Sequence, residues 1–275
     1  MEINTRTTSL KDKMLTISIV TYNPDLSEFR TTLTALANAL SSFDPSSIAI
    51  TIVDNSKENM VLSTVKEELE RWETRLFNGH GNIGFGRGHN LALSSTGEFH
   101  LILNPDIEMD PLALHNALDF MRKNLDCGLL SPQAYWPGGS RQYLCKRYPA
   151  ILDLLLRGFA PKRIQQLFNR RLSRYEMRAE TENAVFWDPP IVSGCFMLFR
   201  GDVLEKTCGF DPQYFLYFED FDLSIRSGRI TKIVYAPHVR VIHMGGHAAK
   251  KGRWHIWQFF LSGLKFYKAH GLRLI

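Results

Sequence analysis

Three short apolar runs near the start of this chain each stop at a cluster of polar side chains, and that repetition constrains the fold more than any other feature. Leu15-Thr16-Ile17-Ser18-Ile19-Val20-Thr21-Tyr22 ends at Asn23-Pro24-Asp25, Ala49-Ile50-Thr51-Ile52-Val53 at Asp54-Asn55-Ser56, and the run from Phe99 to Leu103 at Asn104-Pro105-Asp106. Their content reads as strands. Helical segments separate them: one from Asp25 through about Leu40, one over roughly Val61 to Trp72, and a short one from about Asn90. Strand, helix, strand, helix, strand predicts an α/β fold with parallel strands and crossover helices. Ligands of such sheets bind at the carboxyl ends of the strands, so the three polar clusters are expected to meet at one site.

The second half is less regular. Pro111 to Asn124 reads as a helix, Arg157 to Arg178 as a basic helical region, and Ile191 to Phe199 as a strand interrupted by Ser193-Gly194. Lys232 to Ala236 and Arg240 to Ile242 read as short strands, and the stretch from Trp254 as a helix carrying Lys265, Lys268 and Arg273. A chain of 275 residues that is 44% apolar makes one large domain or two small ones with ample core. Its formal net charge of +5 suits anionic small molecules, an anionic membrane surface or nucleic acid, but no nucleic-acid module is recognisable. Cys127, Cys145, Cys195 and Cys208 form no C-x-x-C pair, which argues against a zinc or redox motif and for a reduced, cytoplasmic protein. Met1 to Lys13 is polar and reads as a disordered lead without the apolar core of a signal peptide. Trp254 to Leu264 is too short to span a bilayer.

The chemistry concentrates in Tyr214-Phe215-Leu216-Tyr217-Phe218-Glu219-Asp220-Phe221-Asp222-Leu223, where three carboxylates fall within four residues among aromatic side chains. Such acids repel and lose hydration, which raises the pKa of one toward usefulness as a proton acceptor. A helix start, where acids complement the dipole, is the plainer reading, and the two are compatible. Asp106 at a strand end supplies oxygen for a hard cation, or closes an ordinary turn. Asp54 accepts from a ring N–H or a ribose hydroxyl, or caps a turn. Gly79-His80-Gly81-Asn82-Ile83-Gly84 matches G-x-G-x-x-G, yet two strands already precede it, so a dinucleotide site is not expected. Gly84, Gly86 and Gly88 instead allow backbone to approach a ligand closely. In His243-Met244-Gly245-Gly246-His247 the glycines oppose a helix and no Glu follows His243, so His243 is a candidate single metal ligand or a structural histidine.

In order and spacing these segments resemble the inverting family 2 glycosyltransferases of the GT-A fold, and are most similar to bacterial rhamnosyltransferases of cell-surface polysaccharide (O-antigen, lipopolysaccharide) biosynthesis. The motifs that carry the resemblance are Ser18-Ile19-Val20-Thr21-Tyr22-Asn23, Val53-Asp54-Asn55-Ser56, Asn82-Ile83-Gly84-Phe85-Gly86 leading to Asn90, Leu103-Asn104-Pro105-Asp106, Val192-Ser193-Gly194-Cys195-Phe196-Met197, Gly209-Phe210-Asp211 and Glu219-Asp220-Phe221-Asp222-Leu223. The resemblance implies a mixed, mostly parallel central sheet flanked by helices. It also implies a nucleotide-sugar half over residues 14–110, an acceptor and catalytic half over 111–249, and a basic amphipathic helix over 250–275.

It further implies roles for single residues. Thr21, Asn23, Asp54, Asn82, Gly84, Gly86, Asn90, Asn104 and Asp106 would line the nucleotide-sugar site, and Asp54 would hold the base. Asn104-Pro105-Asp106 occupies the family's D-x-D position, with an uncharged first residue; Asp106 and His243 would hold Mg2+ or Mn2+. Asp220, with Glu219 beside it, matches the catalytic base. Lys250 stands where the processive members' Q-x-x-R-W has glutamine, implying transfer of one sugar or few. The implied donor is dTDP-L-rhamnose. The implied acceptor is a saccharide, most often linked to polyprenyl diphosphate, reached by a peripheral enzyme at the inner face of the cytoplasmic membrane. The rival expectations are a nucleotidyltransferase and an inactive carbohydrate-binding scaffold of the same fold.

Overall fold

In the computed structural model, residues 10–93, 96–245 and 252–275 are described. The elements in chain order are β1 (Leu15–Thr21), α1 (Leu26–Leu40), β2 (Ile48–Asp54), α2 (Leu62–Glu68), β3 (Glu73–Phe77), α3 (Phe85–Ala92), β4 (Phe99–Leu103), β5 (Ile107–Met109), α4 (Ala113–Lys123) and β6 (Cys127–Tyr135). Next come β7 (Arg141–Gln142), β8 (Cys145–Lys146), α5 (Ile151–Phe159), α6 (Lys162–Leu167), α7 (Asn169–Tyr175), β9 (Phe186–Trp187), β10 (Ile191–Val192), β11 (Phe196–Arg200), α8 (Gly201–Lys206), α9 (Glu219–Ser227), β12 (Lys232–His243) and α10 (Arg253–His270).

Every residue of β1, β2 and β4 is buried, because helices cover both faces of this part of the sheet. The main sheet runs β3-β2-β1-β4-β11-β6-β12-β5. β1, β2, β3 and β4 pair in parallel, as do β6 and β12, while β11 and β5 run antiparallel to their neighbours. Side chains alternate between two cores. Leu101, Leu103, Phe196 and Leu198 face the core that holds α1, α2 and α4, whereas Ile102, Met197 and Phe199 face the one that holds residues of α3, α8 and α9.

The connection after β4 decides where the site lies. Asn104, Pro105 and Asp106 carry the chain from the middle of the sheet to β5, which pairs with the end of β12 so that Ile107 lies opposite His243. Two residues far apart in sequence, Asp106 and His243, are therefore neighbours by register.

The structure departs from the sequence reading in several elements. β3, β5 and β6 carry no clear strand signal; β6 contains Gly128 and Pro132, and Gly128 is required because a Cβ there would lie 2.1 Å from Thr231 Oγ1. The helix expected from about Asn90 begins at Phe85. The basic region breaks into α5, α6 and α7, and the interrupted strand is two strands, β10 pairing with β8 and β11 in the main sheet. Lys232 to Ile242 is one strand with a register shift after Ala236. Residues 1–9 of the expected disordered lead, and Gly246, His247 and Lys250, lie outside the described residues. Leu10–Asp12 form a 3-10 turn, and the buried Lys13 ammonium pairs with Glu73 at 2.9 Å. Among the described residues no helix is long and apolar enough to cross a membrane.

Candidate active site

The first corner is built by the ends of adjacent strands. Register sets Thr21 opposite Asp54, and the Thr21 hydroxyl donates to Asp54 Oδ1 at 3.0 Å, as does the Ser56 N–H at 3.0 Å. Asp54 is fully buried, and its Oδ2 has no hydrogen-bond partner among the described residues. A buried acceptor left open in this way is costly unless something donates to it. Asn23, at φ 45°, turns the chain away from β1 and its N–H donates to Ser56 Oγ at 2.8 Å. The glycine loop closes over this corner: Asn55 Nδ2 donates to Gly84 O at 3.2 Å, and Gly84 N–H to Asn82 Oδ1 at 3.0 Å.

The glycines and Asn90 also have packing partners of their own. Gly84, at φ +93°, would drive a Cβ to 2.3 Å from Phe215 O, and Gly86 would drive one to 2.8 Å from Phe210 Cβ. Asn90 donates to Phe210 O at 2.7 Å and accepts from Phe210 N–H at 2.9 Å, so both of its amide atoms hold backbone. Gly84, Gly86 and Asn90 thus fasten α3 and its loop to the segment 209–215 that leads into the acidic cluster.

The second corner joins Asp106 and His243. His243 Nε2 lies 3.4 Å from Asp106 Oδ1, while His243 Nδ1 bonds Gln142 Oε1 at 2.8 Å. A Cβ on Gly245 would fall 2.0 Å from Asp106 Oδ2, so only glycine leaves room for that carboxylate. Asn104 Oδ1 is buried without a hydrogen bond among the described residues. An imidazole nitrogen and a carboxylate facing one another fit a divalent cation, with the nitrogen favouring Mn2+ over Mg2+. Among the described residues this is a facing pair, not a group of three His, Cys, Asp or Glu side chains.

The third corner is the start of α9. Asp220 Oδ2 accepts from Gly194 N–H at 2.9 Å and Oδ1 from Phe221 N–H at 3.0 Å. Glu219 is buried, and its Oε2 has no hydrogen bond among the described residues. Burial, and then the neighbouring charge of Asp220, push the Glu219 carboxyl far above the usual range. Burial also raises Asp220, but the Gly194 and Phe221 N–H groups and the charge of Arg157 on α5 oppose the rise. Glu219 is thus raised further than Asp220, whose carboxylate the two N–H groups stabilise. Asp222 has a structural duty, since its carboxylate bonds Arg226 Nε at 2.7 Å and His270 Nε2 at 2.7 Å.

The turn before α9 is strained. Tyr217 and Phe218 are consecutive non-glycine residues at φ 70° and 65°; each left-handed residue costs on the order of 1–3 kcal/mol and must be held by its surroundings. α10 holds them. The Phe218 ring packs on Phe259 at 4.9 Å and Phe266 at 5.2 Å, Tyr217 Oη bonds His255 Nδ1 at 2.8 Å, and Ser262 Oγ donates to Leu216 O at 2.8 Å.

One short segment ties the second and third corners together. Gly194 N–H holds Asp220, and the next carbonyl, Cys195 O, accepts from Asn104 N–H at 2.9 Å. The buried Cys195 thiol is pushed up to about 12, first by burial and then by the carboxylates of both Asp106 and Asp220, which lie within electrostatic reach of it. The sequence places Gly194 and Cys195 in a motif without a role. Gln142 and the inner face of α10 are also absent from the sequence reading, and Arg157 appears there only within a basic region, because only tertiary packing brings them here.

No protein-family model matches the chain. It is 26% identical over 255 residues, 86% of this chain and 77% of the relative, to the N-acetylglucosaminyl-diphospho-decaprenol L-rhamnosyltransferase of Mycobacterium tuberculosis. It is 24% identical over 227 residues, 76% of this chain and 80% of the relative, to the rhamnosyltransferase WbbL of Escherichia coli. The fold superposes with a TM-score of 0.59 on the Pyrobaculum calidifontis mannosyltransferase PcManGT, solved with GDP-Man and Mn2+, at 18% identity over 94% of this chain and 65% of that one. The chain is a glycosyltransferase of the GT-A fold, similar in sequence to these rhamnosyltransferases.

Proposed function

We propose that this enzyme transfers L-rhamnose, with inversion, from dTDP-L-rhamnose to a saccharide carried on polyprenyl diphosphate, in cell-surface polysaccharide synthesis. The observation that carries the reading is the Gly194-Cys195 segment, which holds Asp220 through one N–H and the Asn104–Asp106 turn through the adjoining carbonyl.

In this reading Asp54 Oδ2 accepts the ring N–H of thymine, the donor its buried position requires. Asp106 and His243 would hold Mn2+ or Mg2+, which when bound offsets negative charge on the diphosphate. Asp220 takes the proton from the acceptor hydroxyl as that oxygen bonds to the anomeric carbon. The bond from that carbon to the diphosphate breaks on the opposite face, so the configuration inverts. A positioned base of this kind contributes roughly 10²–10⁴ in rate. Burial of Glu219 favours its neutral form, in which it presents no second negative charge to the incoming hydroxyl.

The lipid-linked acceptor accords with the outer surface. Leu155, Phe159 and Leu167 on the α5–α6 side, and Trp257, Phe260 and Leu264 on α10, are all exposed. The segment after α10 meets the start of α5, where Ile151 N–H donates to Arg273 O at 2.9 Å. Residues 252–275 include Arg253, Lys265, Lys268 and Arg273 and no Asp or Glu. Apolar side chains flanked by cations suit an anionic bilayer surface. Flotation with anionic liposomes tests this placement, and absence of binding at low salt would contradict it.

The reaction is tested by incubating the enzyme with Mn2+, dTDP-L-rhamnose and an N-acetylglucosaminyl-diphospho-polyprenol. The expected result is release of dTDP with a rhamnosylated lipid of inverted anomeric configuration. Retention of configuration, or no transfer from any nucleotide sugar in a panel, would overturn the reading.

A further inference from the structure

We propose that Gln142 is a positioning residue that fixes the His243 ring in the one tautomer able to bind a metal beside Asp106. The inference rests on the reading of Asp106 and His243 as a cation site. Gln142 ends the short strand β7, which pairs with β6 so that Gln142 lies opposite Ala134. That pairing sets the side chain between His243 and Gly245. Gln142 Nε2 donates to Gly245 O at 3.3 Å, and Gln142 Oε1 is 2.8 Å from His243 Nδ1.

The chemistry of the partners orients every atom. A backbone carbonyl only accepts, so the amide nitrogen of Gln142 faces Gly245 and its oxygen faces the ring. An amide oxygen only accepts, so Nδ1 carries hydrogen. In the neutral ring Nε2 then presents its lone pair, 3.4 Å from Asp106 Oδ1. That lone pair and the carboxylate oxygen face one another and are placed to share a cation. Gln142 touches no substrate in this arrangement; it acts through His243. Partners of this kind typically change metal affinity by about 10–100-fold.

The same side chain ties the site to the chain that follows β12. Gly245, whose carbonyl Gln142 holds, is the residue whose missing Cβ leaves room for Asp106 Oδ2. Losing Gln142 therefore frees the ring to adopt the other tautomer and loosens the backbone that borders the carboxylate.

The experiment is a titration of the full chain with Mn2+ in the presence of thymidine diphosphate, read by the electron paramagnetic resonance of unbound Mn2+. Gln142→Leu is expected to weaken Mn2+ binding about 10–100-fold while metal-free melting stays close to that of the parent. Gln142→Glu, which keeps an acceptor for Nδ1–H, is expected to recover most of that loss. Unchanged affinity in Gln142→Leu, with His243→Ala strongly weakened, would overturn the role of Gln142 and leave the cation site standing. Unchanged affinity in His243→Ala as well would overturn the site itself. Should Gln142→Leu fail to fold, long-range 15N–1H spectra of the 15N-histidine-labelled, metal-free parent decide: hydrogen on Nδ1 of His243 is expected, and hydrogen on Nε2 contradicts the proposal.

Discussion

The donor corner and the catalytic corner are held by different means. Asp54 is placed by strand register opposite Thr21, and its other partner, Ser56, follows two residues beyond the end of the same strand. Asp220 is placed by packing: a strained turn is pressed into shape by a helix that begins more than thirty residues downstream. Ladder hydrogen bonds are local and redundant, whereas an aromatic clamp depends on a few large contacts. Damage to the clamp should therefore reach turnover before it reaches donor binding, and damage to the ladder end should do the reverse.

The clamp is the place to break this contrast hardest. Phe266 is fully buried against Phe218 and Phe221, and Phe266→Ala is expected to cost about 3–5 kcal/mol of stability, with turnover falling further than dTDP affinity. Denaturant melts alongside calorimetric dTDP binding check this, and equal losses in both functions would dissolve the distinction. The donor corner should answer in the opposite way. Asp54→Ala removes a charged acceptor worth about 1.5–3 kcal/mol, so dTDP should bind roughly 10–100-fold more weakly while the turnover rate at saturation changes little. A fall in turnover at saturation with unchanged affinity would contradict the assignment of Asp54.

Proton linkage sharpens the contrast further, because Glu219, next in sequence to the clamped Phe218, is buried. Its folded pKa stands well above the ordinary 4.5, so the folded chain keeps a proton that the unfolded chain releases. The stabilisation is complete below about pH 4.5, declines as pH rises toward the folded value, and is lost above it. Glu219→Gln is expected to melt with a flatter dependence on pH across this window. Parallel curves for the two proteins would mean that Glu219 ionises normally. The smallest effect is expected at the edge of the clamp, where Tyr217→Phe removes one hydrogen bond to His255 and should cost about 1 kcal/mol, measured by denaturant melting.

The same contrast explains what was legible in the sequence. β1, β2 and β4 are buried on both faces and read as uninterrupted apolar runs, and Asp25 caps α1 as the turn residues suggest. The polar residues at their ends identify the donor corner because register alone assembles it. β6 hid behind Gly128 and Pro132, and β5 is only three residues long, too short for a pattern. The acids at 219 and 220 were visible as an anomaly of composition, yet their difference in proton affinity depends on Gly194 N–H, which reaches Asp220 alone. Gln142 left no trace in the sequence, since its meaning arises only where β7 and β12 come together. The third acid, Asp222, shares the motif but is bound by Arg226 and His270, a distinction that needs α10.

The central claim is that one segment, Gly194-Cys195, brings a proton acceptor at Asp220 against the donor site at Asp106. Asp220→Asn tests it most directly, with dTDP binding in Mn2+ and sugar transfer measured on the same preparation. The expected result is affinity within a few-fold of the parent and turnover reduced by roughly 10²–10⁴. Transfer at the parent rate would contradict the claim.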